Sequence, residues 1–259
     1  MRASLCPGPS LVQQTVRGVP SSRKPAHQGC RRFSLSKNYQ PVTTGKVRNL
    51  VVAGASTASN VATQGDPYLA LEGREAWLVS EQRRLDVTEL WGEDERCVFV
   101  FARSMGCFFC QELARQLERD IIPELDKVGV KLFLVSMGPP ERGLEFSELT
   151  GFRPERLIAD PDSTLYKSVG FYTGLITFFN PKTPLSLLQR VVKDGAKDLV
   201  EAFQTWKPWI PPRINQAYQE GGCLVFEGKE CVLAYYEEGP GTHVDFEVLL
   251  KAARGGTTA

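Results

Sequence analysis

The feature that most constrains this chain is a six-residue apolar run, Cys97–Ala102, that passes through Arg103-Ser104-Met105-Gly106 into Cys107-Phe108-Phe109-Cys110 and then into an amphipathic segment. The run has the length and the β-branched and aromatic content of a buried strand. Beyond the cysteines, Leu113, Leu117, Ile121 and Leu125 recur every four residues, with Ala114 and Val128 widening the stripe, so the spacing predicts a helix. Pro123 predicts a kink within it and Gly129 its end. Two thiols separated by two residues on the first turn of a helix lie within disulfide reach. The helix N-terminus offers partial positive charge and unpaired N–H groups, which stabilise the nucleophilic thiolate. Cys107, the outer of the two, is assigned as the attacking thiol and Cys110 as the resolving thiol. Arg103 adds positive charge at the strand end, and Met105, Phe108 and Phe109 make the rim apolar, suiting a protein or lipid-like substrate over a polar one.

The rest of the chain alternates strands with helices. Short strands are expected at Ala76–Leu78 and Arg156–Ala159, and a one-turn helix at Val87–Leu90. Val130–Ser136 and Leu175–Phe179 read as buried strands. Helices are expected over Glu141–Leu149, from the Asp160-Pro161-Asp162-Ser163 cap to about Val169, and over Asp245–Ala253 with Asp245 as its cap. Leu185–Val192 and Lys197–Thr205 read as amphipathic, and Pro208–Pro212 as a loop. Cys223–Phe226 and Val232–Tyr236 form a β-hairpin turning at Gly228. Strands alternating with helices imply parallel pairing, and the terminal antiparallel hairpin makes the sheet mixed. The pattern is the thioredoxin layout with an insertion between its halves.

Seven cysteines in 259 residues are too few for a disulfide scaffold. Besides dithiol chemistry, two other readings of Cys107 and Cys110 stand: buried inert thiols, or a zinc site with Cys223 and Cys231 as further ligands, although those two lack the usual ligand spacing. Cys97 reads as a small core residue. His243, the histidine of the body, is read as a loop residue before a general base, and Glu112 as a solvated first-turn acid before a proton relay. Trp206 and Trp209 flank a proline-rich loop and read as cover for the core edge. No resident cofactor or metal is expected.

Charge divides the chain. Residues 1–65 carry nine Lys or Arg and no Asp or Glu, together with 13 Ser or Thr. They lack a compact apolar core of the secretory kind and are read as an organelle transit peptide and disordered linker, with plastid preferred over mitochondrion and a basic tail for an acidic partner as the alternative. The patch Leu50–Ala53 marks the end of this leader. From position 66 onward 22 basic residues face 30 acidic ones, a net charge of −8, which disfavours a nucleic-acid role. No apolar run approaches the ~20 residues that span a bilayer, so no membrane span is expected.

Several stretches carry a likeness to known proteins. Gly106–Ala114 (GCFFCQELA), Gly129–Leu132, Ala159–Asp162, Phe178–Pro181, Gly221-Gly222 and Gly239–His243 (GPGTH) resemble the peroxiredoxin-like 2 family, also called AhpC/TSA antioxidant-domain proteins, and in particular its plant and algal, plastid-targeted branch. The resemblance implies an α/β fold over residues 70–254: a thioredoxin-like, peroxiredoxin-type mixed sheet flanked by helices. Peroxiredoxins carry Pro-x-x-x-Thr-x-x-Cys. Read onto Cys107, the Thr position holds Ser104, a chemical match, and the Pro position holds Val100. The peroxide-binding Arg of that family has no counterpart in Gly174–Thr177, leaving Arg103 or Arg190 as substitutes.

The resemblance implies a thiol–disulfide oxidoreductase that reduces peroxides through Cys107 and Cys110, re-reduced by a thioredoxin or glutathione system. The alternatives are a thiol-dependent lipid endoperoxide reductase, as in the family's prostaglandin F synthase branch, and a non-catalytic redox-sensing interaction module.

Overall fold

The computed structural model describes residues 51–52, 65–173, 203–204 and 206–256. Its centre is β4 (Arg96–Ser104), buried along nearly its whole length, as the apolar run requires. On one side β4 pairs in parallel with β5 (Lys131–Met137); on the other it pairs antiparallel with β7 (Gly222–Glu227). The remaining strands are β1 (Val51–Val52), β2 (Glu75–Leu78), β3 (Arg83–Asp86), β6 (Leu157–Ala159) and β8 (Glu230–Tyr236), and the order across the sheet is β1-β8-β7-β4-β5-β6-β2-β3. Parallel β4 and β5 need a crossover. It is supplied by α2 (Phe108–Gln116), a π-helical segment over Leu117–Ile121, and α3 (Ile122–Asp126). Strands β8-β7-β4-β5, with β7 antiparallel to β4, are the thioredoxin layout that the strand and helix pattern predicts.

Period-two alternation along each strand divides the core into two layers. Val98, Val100, Cys223, Val225, Leu132 and Leu134 face one side of the sheet, against α2, α3, α4 (Pro140–Thr150) and α7 (Phe246–Ala253). Phe99, Phe101, Phe133, Leu224 and Phe226 face the other, against α1 (Pro67–Leu71) and α5 (Thr164–Val169). Rings dominate this second layer: Trp91 stacks on Phe226 at 5.2 Å, and Phe101 meets Tyr166 edge-on at 5.3 Å.

Several local expectations are met and others are corrected. Asp245 caps α7 by accepting from the N–H of Glu247 at 2.8 Å. At α5 the cap position falls to Ser163, but the capping oxygens come from Asp160, which accepts from Thr164 at 2.9 Å and Leu165 at 2.8 Å. Pro123 does not simply kink a continuous α-helix. The turn before it is expanded, so that the Ile122 N–H reaches the Leu117 carbonyl five residues back. The hairpin turn is tighter than expected and centres on Gly228, where φ is +54° and a Cβ would lie 2.2 Å from the Glu93 carbonyl. Val51–Val52, assigned from sequence to the end of the leader, pair in parallel with Leu233 and Ala234 of β8. The expected strand Leu175–Phe179, the segment Leu185–Val192, most of Lys197–Thr205 and the rest of the leader lie outside the described residues. Among the described residues, no helix is long and apolar enough to cross a membrane.

Candidate active site

The strand β4 ends in an irregularity between Phe101 and Ser104, after which Ser104 pairs with Met137. Bulged strand ends redirect the chain beside functional sites. Here the Ser104 carbonyl accepts from the Cys107 N–H at 3.0 Å, turning the chain into α2. Cys107 is the N-cap of that helix, with extended backbone (φ −72°, ψ 129°), and its carbonyl accepts from Cys110 at 3.2 Å and Gln111 at 3.1 Å. The Cys107 thiol is half-buried at the helix mouth, whereas Cys110 is fully buried one turn in. Both are free thiols in this structure.

The electrostatics separate the two sulfurs. The Cys107 thiol is drawn down to about 6, foremost by a hydrogen bond from the Cys110 thiol; burial opposes the shift, and the Arg103 guanidinium, the Cys110 N–H and His243 assist it. Cys110 is pushed well above the ordinary thiol range, by burial first and then by the hydrogen it shares with Cys107. One site therefore holds a thiolate and a thiol together near neutral pH.

Arg103 lies at the centre of the charge arrangement and is itself buried. Its guanidinium donates to the carbonyls of Ala217 at 2.6 Å and Gln219 at 3.3 Å and sits 3.4 Å from the Glu220 carboxylate. These groups belong to α6 (Ile214–Ala217) and the chain that enters β7, so the segment across the sheet fixes the cation beside Cys107. Ser104 is buried, and its main chain positions Cys107 through the 3.0 Å bond already described.

Two further features escaped the sequence reading, and a third gives the covering role read for Trp206 and Trp209 its place. His243 is not an open loop residue: its Nδ1 lies 2.6 Å from Glu237 Oε1, and both side chains are almost fully buried. Glu112 is buried as well and accepts from Gln116 at 3.3 Å, which corrects its assignment as a solvated acid. The chain at residues 206–209 packs directly onto Gly106, where a Cβ would lie 2.0 Å from the Trp209 carbonyl oxygen. Trp206 Nε1 donates to the Gly106 carbonyl at 3.0 Å, and Gln111 Nε2 bridges the carbonyls of Met105 and Lys207. Trp206 and Phe203 meet Phe108 edge-on at 6.1 and 6.4 Å, and Phe108 meets Phe109 at 5.4 Å, so the rim beside Cys107 is aromatic. Burial and tertiary pairing decide these roles; the sequence offered His243 in GPGTH, Glu112 and the two tryptophans as candidates without their contacts.

The zinc alternative fails on geometry. Cys223 lies in the same layer as Cys110, while Cys231 lies in the opposite layer with Trp91 and Phe226, so the sheet stands between them. Ligands about 2.3 Å from one ion cannot be drawn from both faces of a sheet. Among the described residues no group of three or more His, Cys, Asp or Glu side chains converges for a metal. Cys97 is a core residue, as expected. Arg190 lies outside the described residues.

Comparison with known proteins adds a likeness. The AhpC/TSA antioxidant enzyme profile matches residues 116–239, from the end of α2 to just beyond β8, with Cys107 and Cys110 upstream of the matched stretch. The chain is 28% identical over 203 residues to the chloroplastic thioredoxin-like protein AAED1 of Arabidopsis thaliana, covering 74% of each chain. It is 29% identical over 119 residues to peroxiredoxin-like 2C of Mus musculus, covering 46% of this chain and 52% of that one. These matches make the chain similar, over the stretches they cover, to peroxiredoxin-like AhpC/TSA proteins. A further relative is the prostamide/prostaglandin F synthase of Salmo salar, 27% identical over 172 residues, covering 65% of this chain and 78% of that one. Among solved structures, the Xanthomonas campestris bacterioferritin comigratory protein aligns with a TM-score of 0.47 at 15% identity, over 72% of this chain and 94% of that one.

Proposed function

We propose that this protein is a thiol–disulfide oxidoreductase that reduces peroxides, with Cys107 as the attacking thiolate and Cys110 as the resolving thiol. The observation that carries the reading is the pairing of a lowered Cys107 with a raised, buried Cys110 at the mouth of α2, beside the held cation of Arg103. In the first step the Cys107 thiolate attacks the outer peroxide oxygen, the O–O bond breaks, and Cys107 becomes a sulfenic acid. Cys110 then attacks the sulfenate sulfur, water leaves, and the Cys107–Cys110 disulfide forms. A thioredoxin or glutathione system returns the two electrons. Ser104 positions the turn, and residues 1–65 serve as a transit peptide and linker that direct the protein to the plastid, in keeping with the chloroplastic relative.

The test is direct. One equivalent of hydrogen peroxide added to the reduced protein is expected to remove two titratable thiols and to produce a peptide linked through Cys107 and Cys110. Cys107→Ser is expected to lose no thiols, and Cys110→Ser to accumulate sulfenic acid. Unchanged thiol titres in the native sequence would overturn the reading.

The aromatic rim of Phe108, Phe109 and Trp206 favours a second reading, in which the substrate is an apolar peroxide, as the prostaglandin F synthase relatives suggest. Phe108→Ser is then expected to lower kcat/KM for an aromatic hydroperoxide about tenfold while leaving that for hydrogen peroxide within about twofold, a contrast in keeping with the 1–3 kcal/mol carried by hydrophobic pocket contacts. Equal losses for both substrates would exclude it.

A further inference from the structure

Large apolar side chains open to water are few among the described residues, and half of them lie together. Leu69, Val128 and Leu144 stand singly, on α1, after α3 and on α4, as scattered surface residues do. The other three, Phe203, Trp206 and Ile210, fall within eight residues, and Phe203 is 70% and Ile210 82% exposed. This stretch is fixed beside the reactive thiol. Gln111 Nε2 holds the Lys207 carbonyl at 3.1 Å, and Trp206 Nε1 donates to the Gly106 carbonyl. The rings of Phe203 and Trp206 meet Phe108, the residue after Cys107.

The chemistry of the stretch narrows what covers it. Residues 203–219 carry Lys207 and Arg213 and no Asp or Glu, in a body of net charge −8 from position 66 onward. Both cations are exposed, and Arg213 pairs with Asp162 at 2.8 Å. Pro208, Pro211 and Pro212 have no N–H, and the Lys207 carbonyl is already taken, so covering the stretch strands little main chain away from water. Aromatic and aliphatic side chains beside basic residues, on a backbone with few open amides, suit the headgroup boundary of a bilayer. A stable protein interface takes ~800 Å² and roughly 20–30 residues from each side. Three side chains on one short stretch fall well below that, whereas shallow insertion into a bilayer needs only a few apolar anchors.

We propose that the face formed by residues 203–210 docks on a lipid bilayer and sets Cys107 at its surface, so that the substrate is a hydroperoxide carried by a membrane lipid. This rests on the second reading above and names the source of its apolar peroxide. The lipid hydroperoxide and the two thiols give a lipid alcohol, water and the Cys107–Cys110 disulfide.

Vesicles of neutral phosphatidylcholine test it on the full chain, because the nine basic residues of 1–65 would adhere to anionic lipid by themselves. The reduced native protein is expected to sediment with these vesicles, and bromine on the acyl chains is expected to quench its tryptophan fluorescence. Ile210→Glu, at an exposed position remote from the dithiol chemistry, is expected to weaken vesicle binding about tenfold or more, the worth of one buried aliphatic side chain. The same variant is expected to oxidise about tenfold more slowly with phosphatidylcholine hydroperoxide in vesicles and at the native rate with hydrogen peroxide. Absence of quenching in the native protein overturns the proposal whatever the variant does. So does binding that requires anionic lipid, or a native dimer that Ile210→Glu splits, since a second copy would then cover the face. Equal rates for native protein and variant on the lipid hydroperoxide overturn it as well. Thiols that survive hydrogen peroxide while vesicle binding and quenching behave as expected would remove the peroxidase reading and leave the docking face standing.

Discussion

The main-chain N–H of Arg103 donates to Cys110 Sγ at 3.2 Å, so the residue that carries the fixed cation of the site also holds its inner sulfur. The side chain and the main chain of one residue thus serve opposite ends of the dithiol. The guanidinium favours the Cys107 thiolate, and the amide holds the Cys110 sulfur.

Alkylation reports this asymmetry. Only the thiolate reacts, and Cys107 is its source at neutral pH. Because the Cys107 value is lowered, the reactive form grows as pH rises through about 6 and is largely complete by pH 7. Iodoacetamide is expected to modify Cys107 with a midpoint near pH 6, against about 8.5 for a free thiol. Cys110→Ala removes the leading contribution, the hydrogen bond from the inner thiol, and the midpoint is expected to move up. In Cys107→Ser, Cys110 is expected to stay unmodified below about pH 9 because burial keeps it protonated. A native midpoint above pH 8 would refute this arrangement.

Arg103→Met separates chemistry from stability. The Arg103–Glu220 pair is buried, with side-chain exposures of 9% and 0%. Removing one partner leaves a buried charge without its mate, which costs about 3–5 kcal/mol. Chemical denaturation should therefore show a loss of that size, with the Cys107 midpoint raised. In Arg103→Met with Glu220→Gln, stability is expected to recover in large part while the Cys107 midpoint stays raised, because the cation is still missing. Recovery of both together would mean that Arg103 acts on Cys107 only through the fold.

The parts of this site that were legible in the sequence are those dictated by local chemistry. A β-branched and aromatic run followed by a turn and C-x-x-C specifies β4, α2 and the order of the two thiols, because period and capping are properties of neighbouring residues. His243 and Glu237 are six residues apart beyond the end of a strand, and no local rule says that such a turn folds under a helix mouth 130 residues upstream. Glu112 reads from the sequence as a first-turn acid, but α2 starts at Phe108 and places it beyond the first turn, where packing buries it. The expanded turn at Leu117–Ile121 was signalled only by Pro123, whose missing N–H allows several helical responses.

Gly106 admits no side chain. A Cβ there would meet the Trp209 backbone, with its nitrogen at 2.3 Å and its carbonyl oxygen at 2.0 Å, and backbone cannot turn aside as a flexible side chain does. Gly106→Ala is expected to push residues 206–209 off the turn and to weaken the 3.0 Å bond from Trp206 Nε1. Overpacking of this kind costs about 1–3 kcal/mol. The same displacement should expose Cys107 further and quicken its alkylation at saturating pH. A variant with native stability and native alkylation rate would show that this segment does not rest on Gly106.

Tyr166 provides the reverse separation. Its phenol is buried, stays protonated, and donates to the carbonyls of Ala102 and Val135, the latter at 3.0 Å. These carbonyls belong to β4 and β5, so the ring fastens the two central strands one residue before Arg103. Tyr166→Phe keeps the edge-on contact with Phe101 and loses both bonds. The two carbonyls share the one hydroxyl hydrogen, so at roughly 0.5–1.5 kcal/mol for that bond stability is expected to fall by about 1 kcal/mol in urea titration. The leading groups that act on Cys107 (Cys110, Arg103 and His243) remain in place. The alkylation midpoint is therefore expected to hold within about 0.3 pH units, a drift worth roughly 0.4 kcal/mol at 1.36 kcal/mol per unit. A midpoint that moved with the stability would show that strand registration, and not the local charges, sets the reactivity of Cys107.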